Sequence, residues 1–157
     1  MKIKLICIGK TTETYLKEGI KIYFERIKHF LPFEILEIQD IKLKNVANIS
    51  FVKDKEAEAV LKQINQGDII VLLDENGKDL DSRNFASFIE KNTIQNAKYM
   101  VFIIGGAYGF SEKLYEAATH KISLSKMTFT HQMVRLIFVE QLYRGLTIIK
   151  NIPYHNQ

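Results

Sequence analysis

The sequence predicts an α/β fold in which one mostly parallel sheet carries helices on both faces. Strand-like and helix-like spacings of apolar residues alternate along the whole chain. Two short, continuous apolar runs, Ile69 to Leu73 and Tyr99 to Ile104, are typical of strands that are covered on both sides. The chain has only 2 prolines, and no linker or internal repeat is recognisable. We therefore expect a single domain over residues 1–157.

The first part of the chain predicts two strands with a helix between them. Lys2 to Ile8 alternates with a period of two and ends at Gly9, as a strand that leaves a sheet does. From Leu16 to Phe30, apolar residues recur at spacings of three and four, which indicates a helix that stops before Pro32. Phe33 to Ile38 then predicts the second strand.

The middle of the chain predicts a connection, a helix and a buried strand. Residues 39–51 show no clear period and are interpreted as a connection. Apolar residues from Ala57 to Ile64 indicate a helix, which we expect Gly67 to end as a C-terminal cap. The third strand follows as Ile69 to Leu73 and ends at Asp74.

The last part of the chain predicts three helices and two strands. Ser82 is a candidate cap for a helix, and Ser111 is a candidate cap for a helix through Ala118. Between them lies the buried strand Tyr99 to Ile104, and Lys121 to Ser125 alternates as a further strand. A long helix is expected from about His131 to about Ile148.

Composition excludes several classes of protein. With 46% hydrophobic and 25% charged residues, the chain is an ordinary globular sequence and not a disordered or collagen-like one. The longest apolar runs are far shorter than a membrane span, and the first residues lack the apolar stretch of a secretory signal. The single cysteine, Cys7, cannot form an internal disulfide. We expect a cytoplasmic protein that does not contact a membrane.

The formal net charge of +4 comes entirely from the last segment of the chain. Residues 1–120 hold equal numbers of basic and acidic residues, whereas residues 121–157 hold five basic residues and only Glu140 as an acid. A basic segment suggests an anionic partner such as RNA or phosphate. The alternative is a helix with ordinary solvated charges.

A ligand site is expected at the ends of the two most buried strands. Ligands of open α/β sheets lie beyond the carboxyl ends of the strands. Here those ends carry Leu73 to Lys78 and the glycine-rich Gly105 to Gly109, although the second motif also fits a simple turn. The chain lacks a phosphate-binding P-loop, a dinucleotide GxGxxG after the first strand and any zinc-ligand spacing, so we expect no metal.

The last third of the chain holds the densest set of polar candidates. His131 and Arg135 are four residues apart and share a helix face, as do Glu140 and Arg144. Either pair also fits a structural role, as a helix-start hydrogen bond or a surface ion pair. The tail residues 153–155, Pro-Tyr-His, either pack on their own domain or complete an active site across a dimer.

These segments together resemble one known family. The residues that carry the resemblance are Leu73-Asp74-Glu75-Asn76-Gly77-Lys78, Phe102-Ile103-Ile104-Gly105-Gly106, Leu124-Ser125-Lys126-Met127-Thr128-Phe129, His131-Gln132, Glu140-Gln141-Leu142-Tyr143-Arg144 and Pro153-Tyr154-His155. In this order they are similar to the ribosomal RNA large subunit methyltransferase H family, over essentially the whole chain. The resemblance implies a SPOUT-type α/β knot, with a trefoil knot in the C-terminal part, and a homodimer.

The resemblance also implies a reaction and its residues. The implied reaction is methylation of N3 of a pseudouridine in helix 69 of large-subunit ribosomal RNA within the ribosome, with S-adenosylmethionine as cofactor. The implied cofactor contacts are Leu73, Gly105, Leu124, Ser125, Lys126, Met127, Thr128 and Phe129. Gly105 is expected to let the ligand approach the backbone closely. The family usually has proline where this chain has Thr130, and we expect threonine to cap the helix instead.

Five residues are candidates for the chemistry. Transfer to an imide nitrogen requires alignment of the reactants, removal of one proton and stabilisation of the resulting anion. Arg144, Tyr154 and His155 are the first candidates, with His131 and Arg135 beside them. Two other functions are weighed: a non-catalytic RNA-binding or ribosome-assembly factor, and a flavodoxin-like small-molecule binder.

Overall fold

The computed structural model describes residues 1–41, 48–94 and 97–154. Its strands are β1 (Lys2–Ile8), β2 (Phe33–Ile38), β3 (Ile69–Asp79), β4 (Tyr99–Ile104) and β5 (His120–Ser123). Its helices are α1 (Thr14–Lys28), α2 (Ile49–Leu61), α3 (Ser82–Thr93), α4 (Glu112–Ala117) and α5 (Met133–Ile149). The strands form one sheet in the order β2-β1-β4-β3-β5, and every pairing is parallel. The predicted α/β class is therefore confirmed.

The central strands send alternate side chains into two apolar layers. In β4, Met100, Phe102 and Ile104 belong to one layer, and Val101 and Ile103 belong to the other. Helices α1, α3 and α5 cover the first face, whereas α2 and α4 cover the second. This confirms the prediction of helices on both faces. Because helices cover both faces of the sheet, we expect the polar groups of a ligand site at the ends of the strands.

Three phenylalanines join α3 and α5 to the central strand. The ring centroids of Phe102 and Phe138 lie 4.8 Å apart, and Phe85 meets both rings edge-on at 6.2 and 6.5 Å. All three side chains are buried. Removing one such ring from a close-packed core costs about 3–5 kcal/mol. The contact fixes the direction of α5, whose first turn lies at the carboxyl edge of the sheet.

The cysteine lies in the same layer. Cys7 is fully buried in β1, and burial raises the pKa of its thiol to about 12. Its sulfur therefore stays protonated and packs as a small apolar group.

Several predicted boundaries were wrong. Of the predicted connection, residues 42–47 lie outside the described residues, and α2 already begins at Ile49. This helix ends at Leu61, so Gly67 is not its cap but a turn residue with φ of +88°. The short-range pattern missed this because Ile64 continues the helical spacing although the chain has left the helix.

The predicted serine caps also differ from the structure. Helix α3 is capped by Asp81, whose Oδ1 accepts a hydrogen bond from the Asn84 amide at 2.7 Å, and Ser82 is the first helical residue. Ser111 occupies the cap position of α4 as predicted. Its buried hydroxyl, however, has no hydrogen-bond partner among the described residues. In the part of the chain that the structure describes, no helix is long and apolar enough to cross a bilayer.

Candidate functional site

A cavity of about 760 Å³ opens at the carboxyl ends of β3, β4 and β5. Its walls are the end of β3, the glycine loop after β4 and the segment that joins β5 to α5. Its size lies within the range of small-molecule sites, and it lies where ligands of parallel sheets bind. No group of three or more metal-ligating side chains occurs among residues 1–41, 48–94 and 97–154.

Seven of the eight predicted cofactor residues line this cavity. They are Leu73, Gly105, Leu124, Ser125, Met127, Thr128 and Phe129. The eighth, Lys126, is not among the lining residues. Its side chain is 85% exposed and pairs with Asp79 at 3.3 Å. The predicted set is therefore assembled in space except for one residue, whose side chain is engaged elsewhere.

The end of β3 bulges into the cavity wall. Strand β3 continues to Asp79 rather than ending at Asp74, but Ile122 of β5 pairs with both Leu73 and Lys78. The intervening residues therefore leave the regular ladder. A Cβ on Gly77 would lie 2.6 Å from the Ile122 backbone, so only glycine fits at this crossing. The bulge places Asp74 at the cavity, within the range Leu73 to Lys78 that the sequence predicted to carry a ligand site.

Asp74 is held by a tyrosine that the sequence did not reveal. The Tyr115 hydroxyl of α4 donates a hydrogen bond to one Asp74 oxygen, and the Asn76 amide donates to the other at 2.8 Å. Burial and the Asp74 carboxylate raise the pKa of Tyr115 to about 12. The phenol thus remains a donor at neutral pH. No local pattern links these residues, which are brought together by the β4–α4 connection.

Two glycines of the loop after β4 pack closely against other side chains of the protein. A Cβ on Gly105 would lie 3.2 Å from the Phe110 ring, which gives a packing reason for this glycine in addition to the predicted ligand approach. A Cβ on Gly106 would lie 3.0 and 3.1 Å from the Glu56 carboxylate oxygens. Gly109 has φ of +75° and donates its amide to the Gly106 carbonyl at 3.2 Å. The loop is thus a tight turn that also forms a cavity wall.

Glu56 is a buried carboxylate behind this loop. It is 6% exposed on α2. Burial first, and the nearby Asp40 carboxylate second, raise its pKa, while a hydrogen bond from the Ile41 backbone opposes the shift. Because its oxygens lie beside Gly106, this carboxylate supports the cavity wall from the outside.

Gln132 holds the cap position of α5 without a side-chain cap bond, and the capping-type bonds expected of threonine are made two residues earlier, by Thr130. Its hydroxyl accepts a hydrogen bond from the Met133 amide at 3.2 Å, and its carbonyl accepts one from the Val134 amide at 3.1 Å. Upstream, the Ser125 hydroxyl accepts from the Met127 amide at 2.9 Å. These bonds give the segment before α5 a defined path along the cavity without proline.

His131 follows Thr130 and lines the cavity. Burial and the positive charge of Arg135 lower the pKa of the imidazole, and the Asp40 carboxylate opposes that shift. The ring is therefore neutral at pH 7 and has an unprotonated nitrogen available to accept a proton or a hydrogen bond.

Arg135, a candidate for the chemistry, lies buried outside the cavity. It is 1% exposed, and its guanidinium donates to the Ile8 carbonyl at 2.7 Å and to Thr11 Oγ1 at 2.8 Å. It also pairs with Glu37 at 3.2 Å. These contacts leave the guanidinium no face for a base or a phosphate. Helical spacing could not show that partners from β1 and β2 enclose it.

Arg144 and Tyr154 lie at the other end of α5, away from the cavity. Arg144 pairs with Glu140, and the Tyr154 hydroxyl donates to the same carboxylate at 3.1 Å. The Arg144 guanidinium lies 4.9 Å from the centroid of the Tyr154 ring, which packs on Tyr143 at 4.8 Å. The tail thus packs on its own chain, and the ion pair is half-buried rather than a free surface pair. His155 lies outside the described residues.

Four of the five basic residues of the last segment are buried or contact another side chain. Arg135 is buried, Lys126 pairs with Asp79, and Arg144 pairs with Glu140. Lys121 lies 5.3 Å from the Tyr115 ring centroid. The segment therefore exposes fewer positive charges to solvent than its formal net charge suggests.

Comparison with known proteins agrees with the resemblance found in the sequence. Residues 1–155 match the family described as "Predicted SPOUT methyltransferase". The chain is 53% identical over 159 residues to the "Ribosomal RNA large subunit methyltransferase H" of Parabacteroides distasonis, with 100% of both chains covered. The proteins of the same name from Christiangramia forsetii and Phocaeicola vulgatus are 50% and 52% identical, again with 100% of both chains covered.

The packing of Gly106 against Glu56 predicts a coupled stability effect. Gly106→Ala should lower the free energy of unfolding by about 1–3 kcal/mol, because its Cβ would press on a buried carboxylate. In a Glu56→Ala background the same change should cost less, and urea unfolding of the four proteins measures this difference. Ala107→Ser, at the exposed neighbouring position, serves as the control. Equal costs in both backgrounds would contradict the contact.

Proposed function

The chain belongs to the SPOUT methyltransferase family, and from this premise we propose that it transfers a methyl group from S-adenosylmethionine to large-subunit ribosomal RNA. The observation that carries the proposal is the cavity at the ends of β3, β4 and β5, which seven of the eight expected cofactor positions line. The finer target is N3 of a pseudouridine in helix 69, methylated on the assembled ribosome. Family membership implies the C-terminal trefoil knot.

The residues of the cavity fit the proposed cofactor. S-adenosylmethionine supplies a methyl group bound to a positively charged sulfur. Leu73, Leu124 and Met127 offer apolar surface for its adenine and sulfur substituents. Asp74 and Tyr115 offer polar groups for its sugar hydroxyls, since general sugar recognition uses carboxylates and hydroxyls in this way.

His131 is the residue best placed to handle the proton of the imide. The nitrogen that receives the methyl group must first lose its proton, and a neutral imidazole at the cavity can accept it. Its exposed position lets it meet a base that enters from solvent. We assign His131 to proton transfer or to positioning of the base.

The position of Arg144 and Tyr154 supports a homodimer. Val134 lines the cavity and Arg144 lies ten residues further along α5, about 15 Å away on a rigid helix. Side chains at that distance do not reach a base in the same cavity. A second copy of the chain would bring Arg144, Tyr154 and His155 to it. The Arg144–Glu140–Tyr154 contacts hold two of these groups in place in advance.

Labelled methyl transfer tests the proposed function directly. Ribosomes from a strain that lacks this gene are incubated with the protein and labelled S-adenosylmethionine, alongside separated large subunits and free ribosomal RNA. We expect label on one pseudouridine of the large-subunit RNA, with ribosomes as the best substrate. Cofactor binding without any label would contradict the target. Salt-sensitive RNA binding without cofactor binding would favour the non-catalytic RNA-binding factor.

Substitutions at the far end of α5 should separate chemistry from cofactor binding. Arg144→Ala, Tyr154→Phe and His155→Ala are each expected to slow methyl transfer by about 100-fold or more, because they remove groups that align or stabilise the reacting base. Cofactor affinity, measured by calorimetry, should stay unchanged. Arg83→Ala on the exposed face of α3 is the control. Unchanged methyl-transfer rates in all three variants would contradict the roles assigned to Arg144, Tyr154 and His155.

Mixing two inactive variants should restore activity if the site spans two copies. A copy with Arg144→Ala keeps its cavity, and a copy with His131→Ala keeps its far α5 end. In a mixed dimer, one complete site forms from the intact halves, so random mixing should recover about a quarter of wild-type transfer. If both groups act within one chain, every site in the mixture is defective. Methyl transfer after unfolding and co-refolding distinguishes the two cases.

A further inference from the structure

One buried side chain fastens the turn that carries His131 to the end of β1. Arg135 Nε donates to the His131 carbonyl at 3.1 Å. Arg135 Nη2 donates to the carbonyl of Ile8, the last residue of β1, at 2.7 Å. Arg135 Nη1 donates to Thr11 Oγ1 at 2.8 Å. One planar group thus joins the backbone before α5 to the segment that follows β1.

A second side chain of the same turn makes a parallel connection. Gln132 Oε1 accepts from the Thr12 amide at 2.8 Å, and Gln132 Nε2 donates to Thr12 Oγ1 at 3.0 Å. Consecutive residues after β1 are therefore tied to residues 132 and 135. The turn between them cannot shift without breaking both connections.

Burial of the charged Arg135 guanidinium is energetically unfavourable unless the group is well paired. The guanidinium is 1% exposed, and its ionic partner Glu37 is still 34% exposed. Glu37 Oε1 also accepts from the Thr11 amide at 2.9 Å and from Thr11 Oγ1 at 2.6 Å. A buried ion pair of this kind is no more stable than well-packed apolar residues, whereas its directional bonds specify one arrangement.

We propose that Arg135 is a positioning residue for methyl transfer, which fixes the turn that presents His131 to the cavity and does not itself contact the cofactor or the RNA. The inference rests on the proposed function of the cavity and on the role of His131 in it. It replaces the direct part in the chemistry for which the sequence made Arg135 a candidate.

The charge of Arg135 has a second consequence for the same imidazole. Burial and Arg135 lower the pKa of His131, and Asp40, after β2, acts in the opposite direction. The other charged groups that line the cavity are Lys53 of α2 and Asp74 and Glu75 of β3. Removing the Arg135 charge should raise the pKa of His131, and removing the Asp40 charge should lower it. A proton acceptor must be neutral. The pH at which the rate falls on the acidic side of its profile should therefore rise when the Arg135 charge is removed and fall when the Asp40 charge is removed.

Nuclear magnetic resonance titration of the histidine ring protons tests this inference without the reaction. The His131 signal is assigned by its loss in His131→Asn. Compared with wild type, we expect His131 to titrate at higher pH in Arg135→Gln and at lower pH in Asp40→Asn. Arg83→Gln, which removes an exposed arginine, should leave the titration unchanged. The same His131 titration in wild type and Arg135→Gln would overturn the inference.

Rate measurements test the positioning directly. Arg135→Lys keeps the charge but offers one nitrogen in place of three separated ones, so it cannot reach all the acceptors that the guanidinium bonds. We therefore expect kcat to fall on the order of 100-fold while the acidic limb stays in place. Arg135→Gln should show the same fall and a limb displaced to higher pH. Wild-type kcat in Arg135→Lys would contradict the inference. If the wild-type protein transfers no methyl group at all, the proposed function fails. The histidine titration would still show whether the charge of Arg135 acts on His131.

A milder variant covers the case in which Arg135 substitutions unfold the chain. Gln132→Ala removes the second connection at a partly exposed site, and circular dichroism verifies its fold. We expect kcat to fall about tenfold with little change in the melting temperature. Unchanged kcat in a correctly folded Gln132→Ala would overturn the inference.

Discussion

The parallel direction of all five strands is the constraint on which the rest of this structure depends. It places the carboxyl ends of β1 to β5 at one edge, and it requires helices on both faces to cover the apolar layers. Most of the polar groups that line the cavity therefore come from the strand ends and loops at that edge. The end of β3, the glycine loop and the segment before α5 supply them, and the cavity lies between these elements.

The edge is held together by contacts between elements that are far apart in sequence. Arg135 of α5 bonds the end of β1, Tyr115 of α4 bonds the end of β3, and Glu56 of α2 lies against Gly106 after β4. Each contact brings a buried or half-buried polar group to a strand end. Arg135 and Tyr115 bond their partners, and Glu56 packs against its loop, so the loops that form the cavity are also held in place by these contacts.

The sequence was informative wherever periodicity or a local motif determined the structure. Strands β1, β2 and β4 follow directly from their apolar patterns, and seven of the eight expected cofactor positions do meet at one cavity. It was uninformative where the deciding partner lies elsewhere in the chain. The burial of Arg135 depends on Ile8 and Thr11, and the environment of Tyr154 depends on Tyr143 and Glu140. A one-dimensional pattern contains no such pairs.

The reactivity of the buried cysteine in β1 can be used to detect opening of the protein core. Cys7 is the only cysteine, it is fully buried, and its sulfur stays protonated because burial disfavours the thiolate. Thiol reagents attack the thiolate and need access to it. The Cys7 side chain lies in the apolar layer that α1, α3 and α5 cover, so a sulfhydryl probe can react only when these helices move away from the sheet or the chain unfolds. The rate of that labelling reports how often this layer opens, with no engineered tag and no competing thiol.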